Sequence, residues 1–237
     1  MSAAARARTG AGTGTGAGAG ASGVVRTVAI DGPAGAGKST LARALAERLG
    51  LERLDTGAMY RAVAWAALER GVDPADADAV AGLARVLSIE VAGTVLVDGE
   101  DATTAIRLPA VDAAVSVVAA NPAVRTEMVA RQRAWVRARH GGVVEGRDIG
   151  TVVLPDADLK VYLTADTGER AARRAAERGQ SERVDEVADQ LRRRDHLDST
   201  RDSSPLVSAA DVADDAVVVD STGRSADDVL QEVLSCL

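Results

Sequence analysis

The feature that most constrains the fold of this chain is a glycine-rich loop between an apolar run and a segment with helical periodicity. The apolar run ends at Ile30, and Leu41, Leu45 and Leu49 recur every four residues beyond the loop. The order strand, glycine loop and helix predicts a phosphate cradle, because glycines let backbone N–H groups turn inward and the helix presents its unpaired N–H groups to an anion. The predicted cradle consists of Gly32, Pro33, Ala34, Gly35, Ala36, Gly37, Lys38, Ser39 and Thr40.

Lys38 strengthens this interpretation, because an ammonium group at the end of the loop supplies a point charge for the β- and γ-phosphates of a nucleotide. The alternative is a flexible glycine-rich turn that contains a lysine by chance. The chain has only two lysines, Lys38 and Lys160, so a chance match is rare, and the flanking strand and helix make it rarer. We therefore predict a phosphate-binding loop.

Length and charge limit the class of protein. A chain of 237 residues is long enough for one substantial α/β domain. Its formal charge of −7 at pH 7 argues against a general nucleic-acid binder, which needs a basic surface. All but two of its 28 basic residues are arginine, which grips phosphate and carboxylate groups bidentately. Small anionic ligands therefore fit this composition better than nucleic acid does.

The scarcity of cysteine and histidine excludes other classes. Cys236 is the single cysteine, so the chain forms no internal disulfide, and His140 and His196 alone provide too few ligands for a zinc site. No apolar run approaches the length that crosses a membrane, which predicts a cytoplasmic protein without membrane partners.

The pattern of apolar runs predicts the domain organisation. Residues 1–22 are almost wholly Ala, Gly, Thr, Ser and Arg, and we expect a disordered tail followed by a single domain over residues 23–237. Strands alternate with helices, which favours a doubly wound parallel sheet. Between about residues 73 and 107, two short alternating runs around Val91 and Val95 predict a hairpin within an inserted subdomain.

A charged segment near the C-terminus predicts a lid. A helix beginning near Ser181 is expected to end around Arg192, and the residues that follow combine dense charge of both signs with hydroxyl groups and little apolar anchorage. Such a composition favours a flap that orders around a charged ligand, although an exposed salt-bridged loop has the same composition. We assign the lid to about residues 180–206.

Other candidate residues lie at strand and helix ends. Asp55 or Thr56 is expected to cap a helix that carries Arg61 within its first two turns. The buried run 143–145 predicts a strand, and the Arg147 and Asp148 that follow it should face the edge where the glycine loop lies, because ligands of open parallel sheets bind beyond the carboxyl ends of the strands. Most arginines of the helix that ends near residue 140 are expected to form a solvated face.

Four segments together resemble the bacterial cytidylate (CMP) kinases of the nucleoside monophosphate kinase family. They are residues 30–40, 54–61, 145–153 and 194–206, and the resemblance covers the chain from about residue 28 to residue 234. It implies the P-loop nucleoside monophosphate kinase fold: a five-stranded parallel sheet flanked by helices, with a small inserted NMP-binding subdomain and a lid.

The resemblance also implies roles for individual residues. Ser116, Arg125 and Asp148 would bind the cytosine edge, and Thr56 would contact the same substrate. The acceptor phosphate would be held by Arg61, Arg147 and Arg201, and the ribose by Arg194 and Asp198. The groups that support the transfer itself would be Lys38, Arg147, Arg194 and Arg201. Ser39 is the candidate ligand of Mg²⁺, although some relatives carry glycine there.

The implied activity is ATP-dependent, Mg²⁺-supported phosphorylation of CMP and dCMP by a monomer whose partners are small nucleotides. Two alternatives remain. A small-molecule kinase of the same fold could act on another acceptor, such as AMP or a non-nucleotide alcohol. A GTP-binding switch protein would share the phosphate loop, but the sequence contains no Asn-Lys-x-Asp motif for reading guanine.

Overall fold

The structure, a computed structural model, describes residues 25–177, 179, 181–200, 212 and 215–237. The expected tail over residues 1–22 lies outside this range. The strands are β1 (Thr27–Asp31), β2 (Arg53–Asp55), β3 (Ile89–Ala92), β4 (Thr94–Val97), β5 (Glu100–Asp101), β6 (Gly142–Glu145), β7 (Leu159–Thr164) and β8 (Ala216–Asp220). The α-helices are α1 (Lys38–Leu49), α2 (Thr56–Glu69), α3 (Ala77–Val86), α4 (Pro109–Ala120), α5 (Pro122–Arg139), α6 (Thr167–Glu177), α7 (Val184–Thr200) and α8 (Ala226–Leu234).

Five strands form a parallel sheet in the order β2-β6-β1-β7-β8, which confirms the predicted fold class. β1 lies in the centre, with Ile30 opposite Glu145 of β6 and Asp31 opposite Tyr162 of β7. The carboxyl ends of these strands therefore meet at one edge, where the glycine loop leaves β1.

Alternation along β1 divides the core between the two faces of the sheet. Val28 and Ile30 pack in one cluster with α1 and α8, whereas Ala29 joins a larger cluster built on α2, α4 and α5. Phe is absent from the sequence, and both clusters consist largely of Ala, Val, Leu and Ile side chains. Burial of these aliphatic side chains is the main favourable term for folding. None of the helices within the described ranges is long and apolar enough to cross a membrane.

The predicted hairpin is present, with one additional strand. β3, β4 and β5 form a separate antiparallel sheet, and Val95 and Val97 of β4 are buried in the larger core cluster. α3 packs beside this sheet against α2 and α5. Residues 73–107 thus add a small layer at the side of the parallel sheet.

The expected end of the last lid helix near Arg192 is wrong, because α7 continues to Thr200. Charged side chains stabilise the additional turns: Arg194 and Asp198 approach each other at i,i+4 spacing, and Arg170 of α6 donates to Asp195 at 2.5 Å. Sequence composition suggested a loop because Arg170, the partner of Asp195, is brought in by another helix. Residues 201–206 of the expected lid lie outside the described ranges.

The arginine face expected on α5 is solvated at Arg133, Arg137 and Arg139, whereas Arg125 is buried and Arg131 is half-buried. Arg131 donates to the backbone oxygens of Ala84, Arg85 and Leu87, and Arg133 donates to those of Val152 and Val153. Each side chain therefore ties α5 to a neighbouring segment by satisfying carbonyl groups.

Asp31 fixes the turn that follows β6. Its buried carboxylate accepts hydrogen bonds from the N–H groups of Ile149 and Gly150, both at 2.7 Å. Burial raises the pKa of Asp31 to about 6. Residues 149–153 form a π-helical turn, which the sequence did not indicate.

Two glycines provide a test of this packing. Gly32 has φ of 140°, and a Cβ atom placed there would lie 2.0 Å from the backbone oxygen of Leu163. Gly82 lies within α3 and would place a Cβ atom in open space. We expect Gly82→Ala to raise the free energy of unfolding by about 0.5–1 kcal/mol, because alanine loses less backbone entropy on folding.

Gly32→Ala should instead lower the free energy of unfolding by about 1–3 kcal/mol, because the loop or β7 must shift to remove the overlap. Urea denaturation of the two variants and the original protein measures both effects. A Gly32→Ala protein as stable as the original would contradict the close approach of the loop to β7.

Candidate active site

A cleft opens at the carboxyl edge of the parallel sheet, between the glycine loop and the helices α2, α4, α5, α6 and α7. Of the predicted site residues, those that line it are Ala34, Gly35, Lys38, Ser39, Thr56, Arg61, Ser116, Arg125, Arg147, Asp148, Arg194 and Asp198. The remaining loop residues, Gly32, Pro33, Ala36, Gly37 and Thr40, adjoin the cleft without lining it. Arg201 lies outside the described residues.

The glycine loop joins β1 to α1 as predicted. Gly37 precedes α1 with φ of 95°, a conformation that favours glycine, and no side chain caps this helix end. The ammonium group of Lys38 folds back over the loop and donates to the backbone oxygens of Gly32 and Pro33, at 2.9 and 2.8 Å. Desolvation, followed by the charge of Arg147, lowers the pKa of Lys38. The negative charge of a phosphate group in the loop would favour the charged form of Lys38.

Glu145 is a site residue that the sequence reasoning missed. It ends β6, its side chain is buried, and its Oε2 atom accepts a hydrogen bond of 2.8 Å from the Ser39 hydroxyl. Its other oxygen, Oε1, is buried without a hydrogen-bond partner. Burial, followed by the charge of Asp55, raises the pKa of Glu145. Pairing of the two predicted strands in parallel register would have indicated Glu145, because it lies opposite Ile30, directly before the glycine loop.

The N-terminus of α2 provides the next wall of the cleft. Asp55, not Thr56, caps the helix by accepting from the N–H of Ala58 at 3.0 Å. Thr56 instead donates its hydroxyl to the backbone oxygen of Glu145 at 2.7 Å, which joins α2 to β6. Arg61 is buried, donates to the backbone oxygen of Ile106 at 3.0 Å and pairs with Asp112.

The structure brings Ser116, Arg125 and Asp148 together from α4, α5 and the segment after β6. Arg125 and Asp148 are buried and paired with each other through a charge-assisted hydrogen bond. The Arg125 guanidinium lies 5.8 Å from the centroid of the Tyr60 ring. Together with the nearby apolar side chains of α4, this group forms a pocket with fixed polar atoms on one side.

Arg147 connects the loop to the predicted lid. Its guanidinium donates to the backbone oxygen of Gly32 at 2.6 Å and to Asp198 of α7 at 3.0 Å. Arg194 of α7 lies 3.9 Å from the same carboxylate. Burial, followed by repulsion from Arg147, lowers the pKa of Arg194 to about 9. Through Arg147, α7 is therefore linked to the glycine loop, and Arg194 and Asp198 of α7 line the cleft.

Sequence reasoning missed three further charged side chains, of which Arg174 lines the cleft and Asp112 and Arg170 lie beside it. Arg174 of α6 and Asp112 of α4 approach each other at 3.5 Å, and both lie close to Arg194. Arg170 donates to the backbone oxygen of Ala34 at 3.1 Å as well as to Asp195, so α6 bridges the glycine loop and α7. Helical periodicity alone gave no reason to select these residues among many similar ones.

The cleft accordingly contains a loop suited to one phosphate group, several guanidinium groups suited to a second anion and a pocket with polar atoms suited to a heterocyclic base. In the described part of the chain, no three side chains of His, Cys, Asp or Glu are grouped to hold a metal ion. A site of this kind can bind two phosphorylated ligands side by side.

The family comparison matches residues 28–237 to the cytidylate kinase family model. A cytidylate kinase of Rhodococcus opacus is 52% identical over 215 residues, which cover 87% of this chain and 92% of that protein. A cytidylate kinase of Pelotomaculum thermopropionicum is 48% identical over 218 residues, which cover 88% and 94%.

A bifunctional pantoate ligase/cytidylate kinase of Parasynechococcus marenigrum is 51% identical over 217 residues, which cover 87% of this chain and 42% of that protein. The chain thus spans less than half the length of this bifunctional relative. The family match over nearly the whole described chain and the identity to relatives of similar length agree with the geometry of the cleft. The chain belongs to the cytidylate kinase family.

Proposed function

We propose that this protein transfers the γ-phosphoryl group of ATP to the phosphate of CMP, and of dCMP, to give ADP and the corresponding diphosphate. The observation that carries the proposal is the buried Arg125–Asp148 pair, with Ser116 beside it and a cluster of arginines nearby, in a cleft that also contains the glycine loop. Neither a GTP-binding switch nor another acceptor is favoured by any feature of this cleft.

The loop and Lys38 would bind the donor phosphates. The backbone N–H groups at the start of α1 provide an anion site, and Lys38 already lies over the loop with hydrogen bonds to two carbonyl groups. An ammonium group has three donors, so one remains for a phosphate oxygen. The loop and Lys38 would thus form the donor side of the site.

Ser39 and Glu145 would hold Mg²⁺ together with the nucleotide phosphates. Their oxygens fit a hard cation, and the buried Oε1 atom of Glu145 lacks a hydrogen-bond partner. Mg²⁺ commonly keeps several water ligands and uses few protein side chains, which agrees with the small donor set. When bound, it would neutralise charge on the phosphates.

Arg61, Arg147 and Arg194 would bind the acceptor phosphate, with Arg201 expected to join them. Phosphoryl transfer passes through a loose transition state in which charge spreads over the transferred group, so alignment and neutralisation supply most of the catalysis. No general base is needed for this role. Because Arg147 also donates to the backbone oxygen of Gly32, it would hold the acceptor phosphate at a fixed position relative to the glycine loop that binds the donor.

The lid helix α7 would exclude water and hold the ribose through Asp198. Closing the site strengthens electrostatic interactions and limits hydrolysis of ATP. We also propose that the lid extends over about residues 180–206 and that residues 73–107 form the NMP-binding insertion, although within that stretch Arg107 alone lines the cleft. We expect the enzyme to act as a monomer on small nucleotides in the cytoplasm, where ATP and CMP are available.

The direct test of this function is product analysis. Incubation of the protein with ATP, Mg²⁺ and CMP should yield ADP and CDP in equal amounts, which ³¹P NMR spectroscopy measures. ADP without CDP would indicate hydrolysis and refute the transfer reaction. Omission of CMP is the control.

Asp148→Asn tests whether Asp148 recognises the cytosine base. Asp148 offers acceptor oxygens to the amino group of cytosine, whereas uracil presents a carbonyl group at that position. We expect the substitution to lower kcat/KM for CMP by about 10- to 1000-fold and to narrow the preference for CMP over UMP, because a buried polar contact is lost.

The exposed Asp156 supplies the matched control. Because it lies away from the cleft, Asp156→Asn should leave kcat/KM for CMP and the preference for CMP over UMP unchanged. Steady-state kinetics with CMP and UMP measure kcat/KM for each substrate. A CMP to UMP ratio that is unaltered in Asp148→Asn would remove Asp148 from the base pocket.

A further inference from the structure

Asp112 lies beside the cleft, and the proposed function gives it no role. It lies in the first turn of α4, where its N–H donates to the backbone oxygen of Leu108 at 3.0 Å. A negative charge is favourable at this end of a helix. Ser116, one turn further along α4, faces the pocket assigned to the base.

Three guanidinium groups from three different helices surround the Asp112 carboxylate. Arg61 of α2 forms a hydrogen-bonded ion pair with it, and Arg174 of α6 lies 3.5 Å from both of its oxygens. Arg194 of α7 approaches to 3.8 Å. The side chains of these four residues are between 8 and 23% exposed, so water screens their interactions only weakly.

The contact with Asp112 fixes the orientation of Arg61. One terminal nitrogen of the guanidinium pairs with Asp112, and the other donates to the backbone oxygen of Ile106. A guanidinium group has five N–H donors, so these two contacts leave others for a ligand in the cleft. Burial lowers the pKa of Arg61, and Asp112 opposes that change.

The charges around Asp112 also match a monophosphate. Four arginines at the cleft share two carboxylates, which leaves two positive charges. The arginines are Arg61, Arg147, Arg174 and Arg194, and the carboxylates are those of Asp112 and Asp198. A phosphate monoester carries about −1.5 to −2 charges at pH 7. Without Asp112, mutual repulsion would drive the three arginines around it apart.

We propose that Asp112 is a positioning residue that holds Arg61 and Arg194 in place for the acceptor phosphate and thereby ties the lid helix α7 to α4. It acts through these arginines and does not contact the phosphate. The inference rests on the proposed function of the cleft. Beyond that function, we infer that both the affinity for CMP and the closure of the lid depend on the Asp112 carboxylate.

Asp112→Asn tests the proposal, since it keeps the size of the side chain and removes its charge. We expect the Kd for CMP to rise about tenfold, the scale of a charge-assisted hydrogen bond, while the Kd for ATP changes by less than about twofold. Isothermal titration calorimetry measures both constants. Asp78→Asn is the matched control, because Asp78 is an exposed aspartate in the first turn of α3.

Asp112→Glu provides a second variant that keeps the charge and moves it by one methylene group. Its CMP affinity should lie between those of Asp112→Asn and the original protein. An unchanged CMP affinity in Asp112→Asn, an equal loss of CMP and ATP affinity, or a Glu variant no better than the Asn variant would each overturn the proposal.

Amide hydrogen exchange without nucleotide tests the link between Asp112 and the lid helix independently of phosphoryl transfer. Asp112→Asn should accelerate exchange in residues 187–197 of α7 about fivefold or more and leave β1 and α1 unchanged, as expected for local opening. Unchanged exchange in α7 would overturn the link to the lid. Absence of CDP formation by the original protein would refute the proposed function. The exchange experiment would still test whether Asp112 holds α7.

Discussion

Parallel pairing of β1 with β6 is the constraint on which the rest of the cleft depends. It places the glycine loop beside Glu145, Arg147 and Asp148, so that residues more than a hundred positions apart share one edge of the sheet. The hydrogen bond from Arg147 to the backbone oxygen of Gly32 joins the two segments directly. A shift in this register would separate the groups that we assign to the donor from those that we assign to the acceptor.

The second organising feature is an excess of positive charge that only partly finds internal partners. Arginine side chains from α2, α6, α7 and the segment after β6 converge on Asp112 and Asp198, and burial lowers the pKa of both Lys38 and Arg194. Buried charges cost free energy unless they are paired. The cleft therefore carries excess positive charge that phosphorylated ligands would neutralise. We propose that this charge provides both ligand affinity and transition-state stabilisation.

The sequence was sufficient for the family, which four segments indicated together, and for the parallel sheet, and both predictions are confirmed. It also placed the glycine loop between a strand and a helix, as observed, because this order forms a local signal; phosphate binding by the loop remains a prediction. The sequence failed for α7, whose last turns depend on Arg170 of another helix. Asp31, Glu145 and Asp112 were missed for the same reason: an aspartate or glutamate is common, and only tertiary contacts distinguish these three. The roles assigned to Ser116, Arg125 and Asp148 remain predictions, although the fold brings them together.

We propose that the cleft selects cytosine monophosphates as phosphate acceptors. The most direct measurement is the rate of ADP release by the original protein with ATP and Mg²⁺, compared across CMP, dCMP, UMP, AMP, GMP and shikimate at equal concentration. We expect kcat/KM to be highest for CMP and dCMP and lower for UMP by a factor of about 100 or more, as for other sites that bind a polar edge. Equal or faster turnover of AMP, UMP or shikimate would contradict the proposed selection of CMP.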